Sequence, residues 1–459
     1  MLKWGVEMKQ MNKKINNFYS EEVILSHEKI SDLRKKKDLN IDRLKEGISV
    51  YNEKHGKEYE LYESLEQGSI AMSTAVEPEY DDFDIDVGII FKSDNIPSQT
   101  EEVKDLIIEF LSPYNYLFKR NPIKKENCIR IEYQDDYHID FAIYRVSGDY
   151  YEHCGNEWTE RNPRSITNWF IERNKEYDNN LRKITRLIKY FAKSRKEWDI
   201  CGGLIISIII EEQIDETNKN LDLDELMLDI IKKLISRIDT NKSVLNPINF
   251  QEIIIDDNHK QKLINLKEKL ELFVNDLNSA YNDSNIENIC VAWNKFFKTD
   301  YFDVDEKASK NKCEDNEMFI ENIYSLENKI PFKFIVTCQR YISKDESFAR
   351  YTCVNCNNNE EFSLTKNRNE KLCFSIDTNV SKPYILLWKV KNNGANAINK
   401  NMLRGEITFG NELNAFFDNI NSDRRFEGID FTGNHYVECY MVKNDKCIAR
   451  GRFNVNIRD

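Results

Sequence analysis

An excess of basic charge is missing from this 459-residue chain, in which 66 Lys and Arg stand against 79 Asp and Glu for a formal net charge of −13. A surface that grips nucleic-acid backbone needs a basic stripe, so strong nucleic-acid binding is not expected, while small nucleotides are not excluded. Long apolar runs are missing too. The longest, Leu204 to Ile210 after Cys201-Gly202-Gly203, falls far short of the ~20 residues a membrane span requires. It reads as a buried helix, and no membrane partner is expected. Met1 to Lys14 is polar and charged, without the apolar core of a secretory signal. With eleven cysteines at irregular spacings, the expectation is a cytoplasmic protein whose thiols stay free. A second Cys-x-x-Cys is also lacking. Cys353-x-x-Cys356, with Cys338 and Cys373 on either side, could make a four-cysteine zinc site, but ribbons carry two such pairs, and the sequence leaves zinc at Cys353/Cys356 open. No nuclease or other effector motif is visible. What is present, 40% hydrophobic and 12% aromatic residues, suffices to build cores for two or three domains.

The stretch from Gln67 to Phe91 carries the chemistry. It opens on a Gly68-Ser69 turn, runs through a polar loop containing Pro78, and enters a strand in which acids alternate with apolar residues. Side chains on a strand point alternately to its two faces, so Asp84 and Asp86 share one face while Phe83, Ile85 and Val87 point into the core. Neighbouring carboxylates repel unless a cation sits between them. Proteins hold Mg²⁺ for phosphoryl transfer in this way, with two ions roughly 3.5–4 Å apart clamping the attacking and leaving oxygens. Upstream, Ile24, Leu25, Ile30 and Leu33, then Ile41, Leu44, Ile48 and Tyr51, recur at helical spacing between about 20 and 65. Two helices are expected there, the second leading directly into Gly68-Ser69, with no structure assigned to the first twenty residues. A Gly-Ser turn so placed presents backbone N–H groups and a hydroxyl to an anion, and a triphosphate is the natural occupant.

Downstream, 99–111 predicts a helix, and Ile129 to Tyr133 and Ile139 to Tyr144 alternate on either side of a Gln134-Asp135-Asp136 turn, which predicts a hairpin. Asp140 is an acid in an otherwise apolar strand. A lone acid on a strand is most often merely solvated, so its weight comes from the company of Asp84 and Asp86. His138 and His153 lack ligand-like spacing and read as structural. From about 150 to 295 the pattern is helical, with apolar stripes at Ile184, Leu187, Ile188 and Phe191, then Leu204 to Ile210, Leu223 to Ile238, and Leu263 to Ala280. A lobe of this kind closes on a catalytic sheet, and ligands lie in such clefts. After Lys298 the composition turns to Asp, Lys, Asn and Ser, and strand patterns follow at 332–338, 371–376, 382–391, 401–409, 435–442 and 447–457. The expected fold is α+β: N-terminal helices and catalytic core at 1–150, a helical lobe at 151–297, a linker at 298–318, and a separate, mainly β domain at 319–459.

Gly-Ser, a short loop, two acids alternating with apolar residues, and a third acid on a later strand resemble the signature of DNA polymerase β-like nucleotidyltransferases. With Gln67, Thr74, Pro78 and Phe83-Asp84-Ile85-Asp86, the sub-pattern resembles the bacterial cGAS/DncV-like nucleotidyltransferases (CD-NTases) of anti-phage signalling. Asn162 to Phe170 resembles the segment where those enzymes leave the catalytic core. Leu181 to Phe191 resembles their helix with a phosphate-contacting lysine, which maps to Lys189. Where the family usually has a small polar stretch with Ser, this chain has Ile200-Cys201-Gly202-Gly203. Pro383 to Ala397, Leu403 to Ile407 and Gly433 to Phe453 resemble the adenylyl/guanylyl cyclase and SMODS C-terminal sensor domain (AGS-C). There Trp388, Arg404, His435, Glu438 and Arg450 read either as a ligand pocket or as core and hairpin pairs.

The resemblance implies Mg²⁺-dependent synthesis, with Mn²⁺ tolerated, of a cyclic or linear oligonucleotide second messenger from nucleoside triphosphates, releasing pyrophosphate. It implies Asp84, Asp86 and Asp140 as catalytic, metal-binding residues and Gln67, Gly68, Ser69 and Lys189 as nucleotide-binding residues. It also implies a separate downstream effector protein that binds the product and an unknown ligand for the C-terminal domain. Two other readings compete: transfer of one nucleotide to a protein or RNA end, and a nucleotide-binding sensor without catalysis. Enzymes of the first kind are commonly small and single-lobed. Against the second, a vestigial site has no reason to keep three mutually repelling carboxylates.

Overall fold

In the computed structural model, residues 2–77, 83–134, 137–254, 256–303, 316–327, 332–344, 347–350, 362–366, 370–409 and 424–458 are described. They fall into two units, Met1–Lys310 and Asn311–Asp459. The boundary lies within the stretch read as a linker, most of which, like Cys353 and Cys356, is outside the described residues.

The N-terminal unit opens with a helix where none was assigned. In α1 (Leu2–Phe18), Met11, Ile15 and Phe18 repeat at four- and three-residue spacing and are fully buried in the core of the helical lobe. One helix follows instead of two: α2 (His27–His55) runs for 29 residues. It starts at Ser26, whose hydroxyl accepts the Lys29 N–H at 3.3 Å, and stops at Gly56 in the left-handed conformation. It does not reach Gly68. A short strand intervenes, β1 (Glu63–Glu66), whose backbone groups pair with β2 (Phe83–Lys92). Between them Gly68–Ala71 forms a single helical turn, α3.

After α4 (Thr100–Leu111) come β3 (Ile123–Lys124), β4 (Ile129–Glu132), β5 (Tyr137–Ser147), β6 (Tyr150–Cys154) and β7 (Trp158–Glu160). These strands make a seven-stranded sheet in the order β1-β2-β5-β4-β3, with β6 on β5 and β7 on β6. β2 and β5 run parallel; β4 and β5 form the predicted antiparallel hairpin. Period-two alternation divides the sheet into two faces. Ile85, Val87 and Ile89 of β2 and Ile139, Phe141 and Ile143 of β5 pack against Val103, Ile107 and Phe110 of α4. Gly47 of α2 meets Phe110 so closely that a Cβ there would lie 1.8 Å from its carbonyl oxygen. The opposite face carries the acids.

The helical lobe comprises α5 (Ser165–Glu176), α6 (Asn180–Lys193), α7 (Gly203–Glu211), α8 (Leu223–Thr240), α9 (Asp257–Asp283) and α10 (Ile286–Phe297). The expected stripe of α6, Ile184, Leu187, Ile188 and Phe191, is fully buried, and five isoleucines of α7 are enclosed with it. Among the described residues, no helix is long and apolar enough to cross a membrane.

The C-terminal unit is mainly β, as expected. Its strands are β8 (Ser325–Leu326), β9 (Phe334–Lys344), β10 (Ser347–Arg350), β11 (Phe362–Thr365), β12 (Glu370–Thr378) and β13 (Ile385–Lys391). After α11 (Ala395–Asn399) come β14 (Arg404–Phe409), β15 (Arg424–Gly428), β16 (Gly433–Lys443) and β17 (Lys446–Arg458). One sheet runs β10-β9-β12-β15; the other runs β11-β17-β16-β13-β14, with β8 on β17. Cys338, Leu372 and Phe374 from the first meet Trp388, Cys439, Met441 and Phe453 from the second in one core. Trp388 is therefore a core residue. On the other face of β16, Glu438 is fully enclosed and held by Lys389, Arg450 and Arg452. Arg404 grips Glu427 with both terminal nitrogens, and His435 accepts the Asn393 N–H at 3.1 Å. Each of these side chains is engaged within the fold.

Candidate active site

All seven residues singled out in the sequence, Gln67, Gly68, Ser69, Asp84, Asp86, Asp140 and Lys189, line one cavity of about 470 Å³ between the acidic face of the sheet and the helices opposite it. Their convergence follows from strand register. β2 and β5 run parallel with Asp86 beside Asp140 and Asp84 beside His138, so the same alternation that buries the isoleucines brings three carboxyl groups to one wall.

The Gly68 turn is fastened to that wall. The Gln67 N–H donates to the Asp86 carbonyl at 2.9 Å, and the Gln67 side-chain amide donates to Tyr144 Oη at 3.1 Å and to the Pro163 carbonyl at 2.8 Å. Gly68 has φ +62°, and a Cβ there would lie 1.8 Å from Asp86 Oδ2. Only glycine gives both this conformation and this closeness. The Thr74 N–H returns to the Ser69 carbonyl at 2.8 Å, closing the loop. On the opposite wall, Lys189 of α6 is buried, with Nζ 2.7 Å from the Thr74 carbonyl. Lys193, one turn later, and Gly203, the first residue of α7, also line the cavity. Where relatives were expected to offer a serine, this chain thus presents the N-terminal end of a helix.

The charges are strongly coupled. Burial first, then the charges of Asp84 and Asp140, push the Asp86 carboxyl up to about 6. Burial also works against ionisation of Asp84, but its contact with His138 and the nearby Arg130 guanidinium outweigh that and leave it below the ordinary carboxylate value. Lys189 is pushed down to about 7, by burial and then by Lys193 and Arg186, with partial relief from Asp86 and Asp84.

Two residues here were not singled out by the sequence. Arg130 of β4 lies directly across from Asp140 in the hairpin register. Its Nε donates to Asp140 Oδ1 at 2.8 Å, and its Nη2 donates to Asp140 Oδ2 at 2.6 Å and to Asp84 Oδ1 at 3.2 Å. His138, read as structural, contacts the same Asp84 oxygen through Nε2. The signal for Arg130 was present: once the 134–136 turn is read as a hairpin, the position opposite Asp140 follows. Among the described residues, no three His, Cys, Asp or Glu side chains are gathered tightly enough to hold a metal ion. The acids nonetheless fit one in kind: they are hard oxygen donors on neighbouring strands, close enough for two to raise the pKa of the third.

A sheet with a carboxylate wall, a Gly-Ser turn against it and a buried lysine opposite is an arrangement suited to handling a nucleotide's phosphates, and the family comparisons bear on the domain that carries it. Residues 63–144 match the family model described as the nucleotidyltransferase domain of cyclic GMP-AMP synthase DncV-like proteins. Residues 314–458 match the adenylyl/guanylyl and SMODS C-terminal sensor domain. The chain thus carries a DncV-like nucleotidyltransferase domain at 63–144 and a C-terminal sensor domain of the AGS-C type at 314–458. Among solved structures, it is similar to Escherichia coli DncV in its 3′-deoxy GTP-bound form, at 17% identity over 62% of this chain and 97% of that one, with a TM-score of 0.51. It is also similar to the Vibrio cholerae DncV cyclic AMP-GMP synthase, at 18% identity over 60% of this chain and 92% of that one, TM-score 0.48. A further match is the CdnC:HORMA-deltaN complex of E. coli MS115-1, at 15% identity over 63% of this chain and 97% of that chain, TM-score 0.48. Likeness at such identities speaks to the fold.

Proposed function

We propose that this protein joins nucleoside triphosphates into a cyclic or linear oligonucleotide, a second messenger in bacterial anti-phage defence that acts in the cytoplasm on a separate effector protein. The observation that carries the reading is the cavity: three carboxylates on one wall, a Gly68-Ser69 turn beside them and buried Lys189 opposite. A triphosphate with its counter-cations matches that division of charge, cations toward the acids and phosphate oxygens toward the lysines and the turn. Asp84, Asp86 and Asp140 would hold Mg²⁺, or Mn²⁺ in its place. Bound there, the ion would lower the pKa of the attacking ribose hydroxyl and neutralise charge on the phosphoryl group.

The chain's own residues would do the rest. The N–H groups of Gly68 and Ser69 and the Ser69 hydroxyl would hold the terminal phosphates, with Gln67 fixing the turn to β2. Lys189 would give the phosphates a point charge, its pKa rising again once they arrive. The hydroxyl oxygen of one nucleotide forms a bond to the α-phosphorus of the next, the α–β bridge breaks, and pyrophosphate leaves. That a relative of this fold is described in a GTP-analogue-bound form supports a nucleotide as occupant. The ligand of the C-terminal domain would adjust this activity.

The test is to incubate the purified protein with all four NTPs and Mg²⁺ or Mn²⁺, treat with phosphatase, and identify surviving products by mass spectrometry. A phosphatase-resistant oligonucleotide absent with Asp84→Ala/Asp86→Ala is the expected result. Transfer of a nucleotide to protein or RNA, with no free product under either metal, would overturn it.

A further inference from the structure

Arg130 is the counter-cation of the acidic wall. Both Asp140 oxygens accept from its guanidinium, at 2.8 and 2.6 Å, and the same Nη2 reaches Asp84 Oδ1 at 3.2 Å. That Asp84 oxygen also meets His138. Asp140 and Asp84 are thus engaged by side chains of the protein, whereas among the described residues no cation hydrogen-bonds to Asp86, which carries the raised pKa. A paired guanidinium and carboxylate form a strong, directional contact. It ties Asp140 to β4, and among the described residues the three acids do not close around a common point. The Arg130 side chain remains 27% exposed, so it has solvent into which to withdraw, whereas the β2–β5 pairing beneath the acids is fixed by ten residues of register.

We infer that Arg130 is a latch on the metal site: it holds Asp140 and Asp84 in the nucleotide-free protein, and must withdraw before the carboxylates can converge on divalent cations. The inference rests on reading the three acids as the metal site. Arg130 is a positioning residue on this view, acting on the ligands and competing with the ion for them. The latch weakens metal loading by the bare protein, so that saturating metal is needed to displace the guanidinium. It gives way when a metal–nucleotide complex arrives, because the phosphates then offer the released guanidinium a new anionic partner.

The readout is Mn²⁺ binding to the full-length, nucleotide-free chain, followed by the electron paramagnetic resonance of the free ion. Removing a competing charged contact should tighten binding by about tenfold or more in Arg130→Gln, with Arg130→Lys, which keeps the charge, staying near wild type. A residue that merely props Asp140 in place would give the opposite sign, so equal or weaker binding in Arg130→Gln overturns the latch. Should that variant fail to fold, the wild-type protein supplies the test: the Arg130 Nε–H resonance, identified by its loss in Arg130→Lys, should shift when Mg²⁺ is added. A resonance unmoved at saturating Mg²⁺ overturns the inference equally. If Asp84→Ala/Asp86→Ala leaves Mn²⁺ binding unchanged, the metal reading of the site falls and the latch with it. Loss of binding in that double variant, with no tightening in Arg130→Gln, sinks the latch alone.

Discussion

Single atoms decide the site at Gly68 and Lys189. A methyl group at position 68 would meet Asp86 Oδ2 at 1.8 Å while the backbone stays at φ +62°. Gly68→Ala should therefore displace the Asp86 carboxylate or the turn. Because misplacing reacting groups by about 1 Å costs on the order of 100-fold, initial rates of product formation should fall at least that far. The backbone strain adds roughly 1–2 kcal/mol of destabilisation, visible as a lower melting temperature. Lys189 presents the reverse trade. Its burial holds the ammonium down at about 7 instead of 10.5, so the charged form is a cost to the free fold and a benefit once phosphates arrive. Lys189→Met should melt higher than wild type yet bind NTPs about ten- to a hundredfold more weakly, measured by scanning calorimetry and titration. The unfolded chain holds this proton over a pH range in which the folded chain has lost it. Wild-type stability relative to Lys189→Met should then rise with pH from about 7 toward 10.5; a difference that falls over that range would refute the assignment.

At the scale of elements, legibility followed locality. β2, β5, α6 and α7 were readable because their period-two and helical apolar patterns lie within the segment itself and the core they face is continuous. β1 was not. Glu63-Ser64-Leu65-Glu66 has no pattern of its own and becomes a strand only because β2 supplies its hydrogen bonds. α1 hid because polar residues surround the few that it buries, and α2 appeared broken because its apolar positions thin out across Lys35–Asp38. Arg130 and His138 needed cross-strand register, which a single segment cannot show. The site residues Asp84, Asp86 and Asp140 were legible because acids among strand apolars stand out. The join between α2 and β1 also has a charge-based fastening. Arg34 Nε and Lys37 Nζ donate to the buried Glu66 Oε1 at 3.2 and 3.0 Å, one residue before the Gln67 that anchors the turn. Glu66→Gln should cost about 2–4 kcal/mol, somewhat less than in a fully enclosed pair because Arg34 and Lys37 keep some contact with water. Although burial opposes ionisation, Arg34 and Lys37 hold the Glu66 carboxyl below the ordinary 4.5. The contribution is therefore complete above that value and disappears as pH falls through the lowered pKa. Urea melts of the two proteins should differ at neutral pH and converge once the pH falls below the lowered pKa of the Glu66 carboxyl; a gap that persists in acid would assign the loss to packing.

For the whole molecule, two units with separate cores predict two cooperative unfolding transitions. Substitutions can assign them. In the C-terminal unit, Glu438 and Lys389 are both fully enclosed and 3.0 Å apart. Arg450 and Arg452, about two-fifths exposed, complete the set from β17. The attractions of Lys389 and Arg450 overcome the burial of Glu438 and hold its carboxyl down at about 2. Glu438→Gln leaves the Lys389 ammonium enclosed with Glu317 as its remaining acid at 3.0 Å. Losing one partner of such a buried set costs about 3–5 kcal/mol, which for a unit of this size lowers its midpoint on the order of 10 °C. Gly68→Ala, by contrast, strains the turn against β2. Calorimetry should show each variant lowering one transition and leaving the other in place, the two variants acting on different peaks. A single transition moved by both substitutions would mean that the sensor domain and the catalytic unit unfold as one body. Ligand binding to the sensor could then reach the Gly68 turn through shared stability alone, without any local switch.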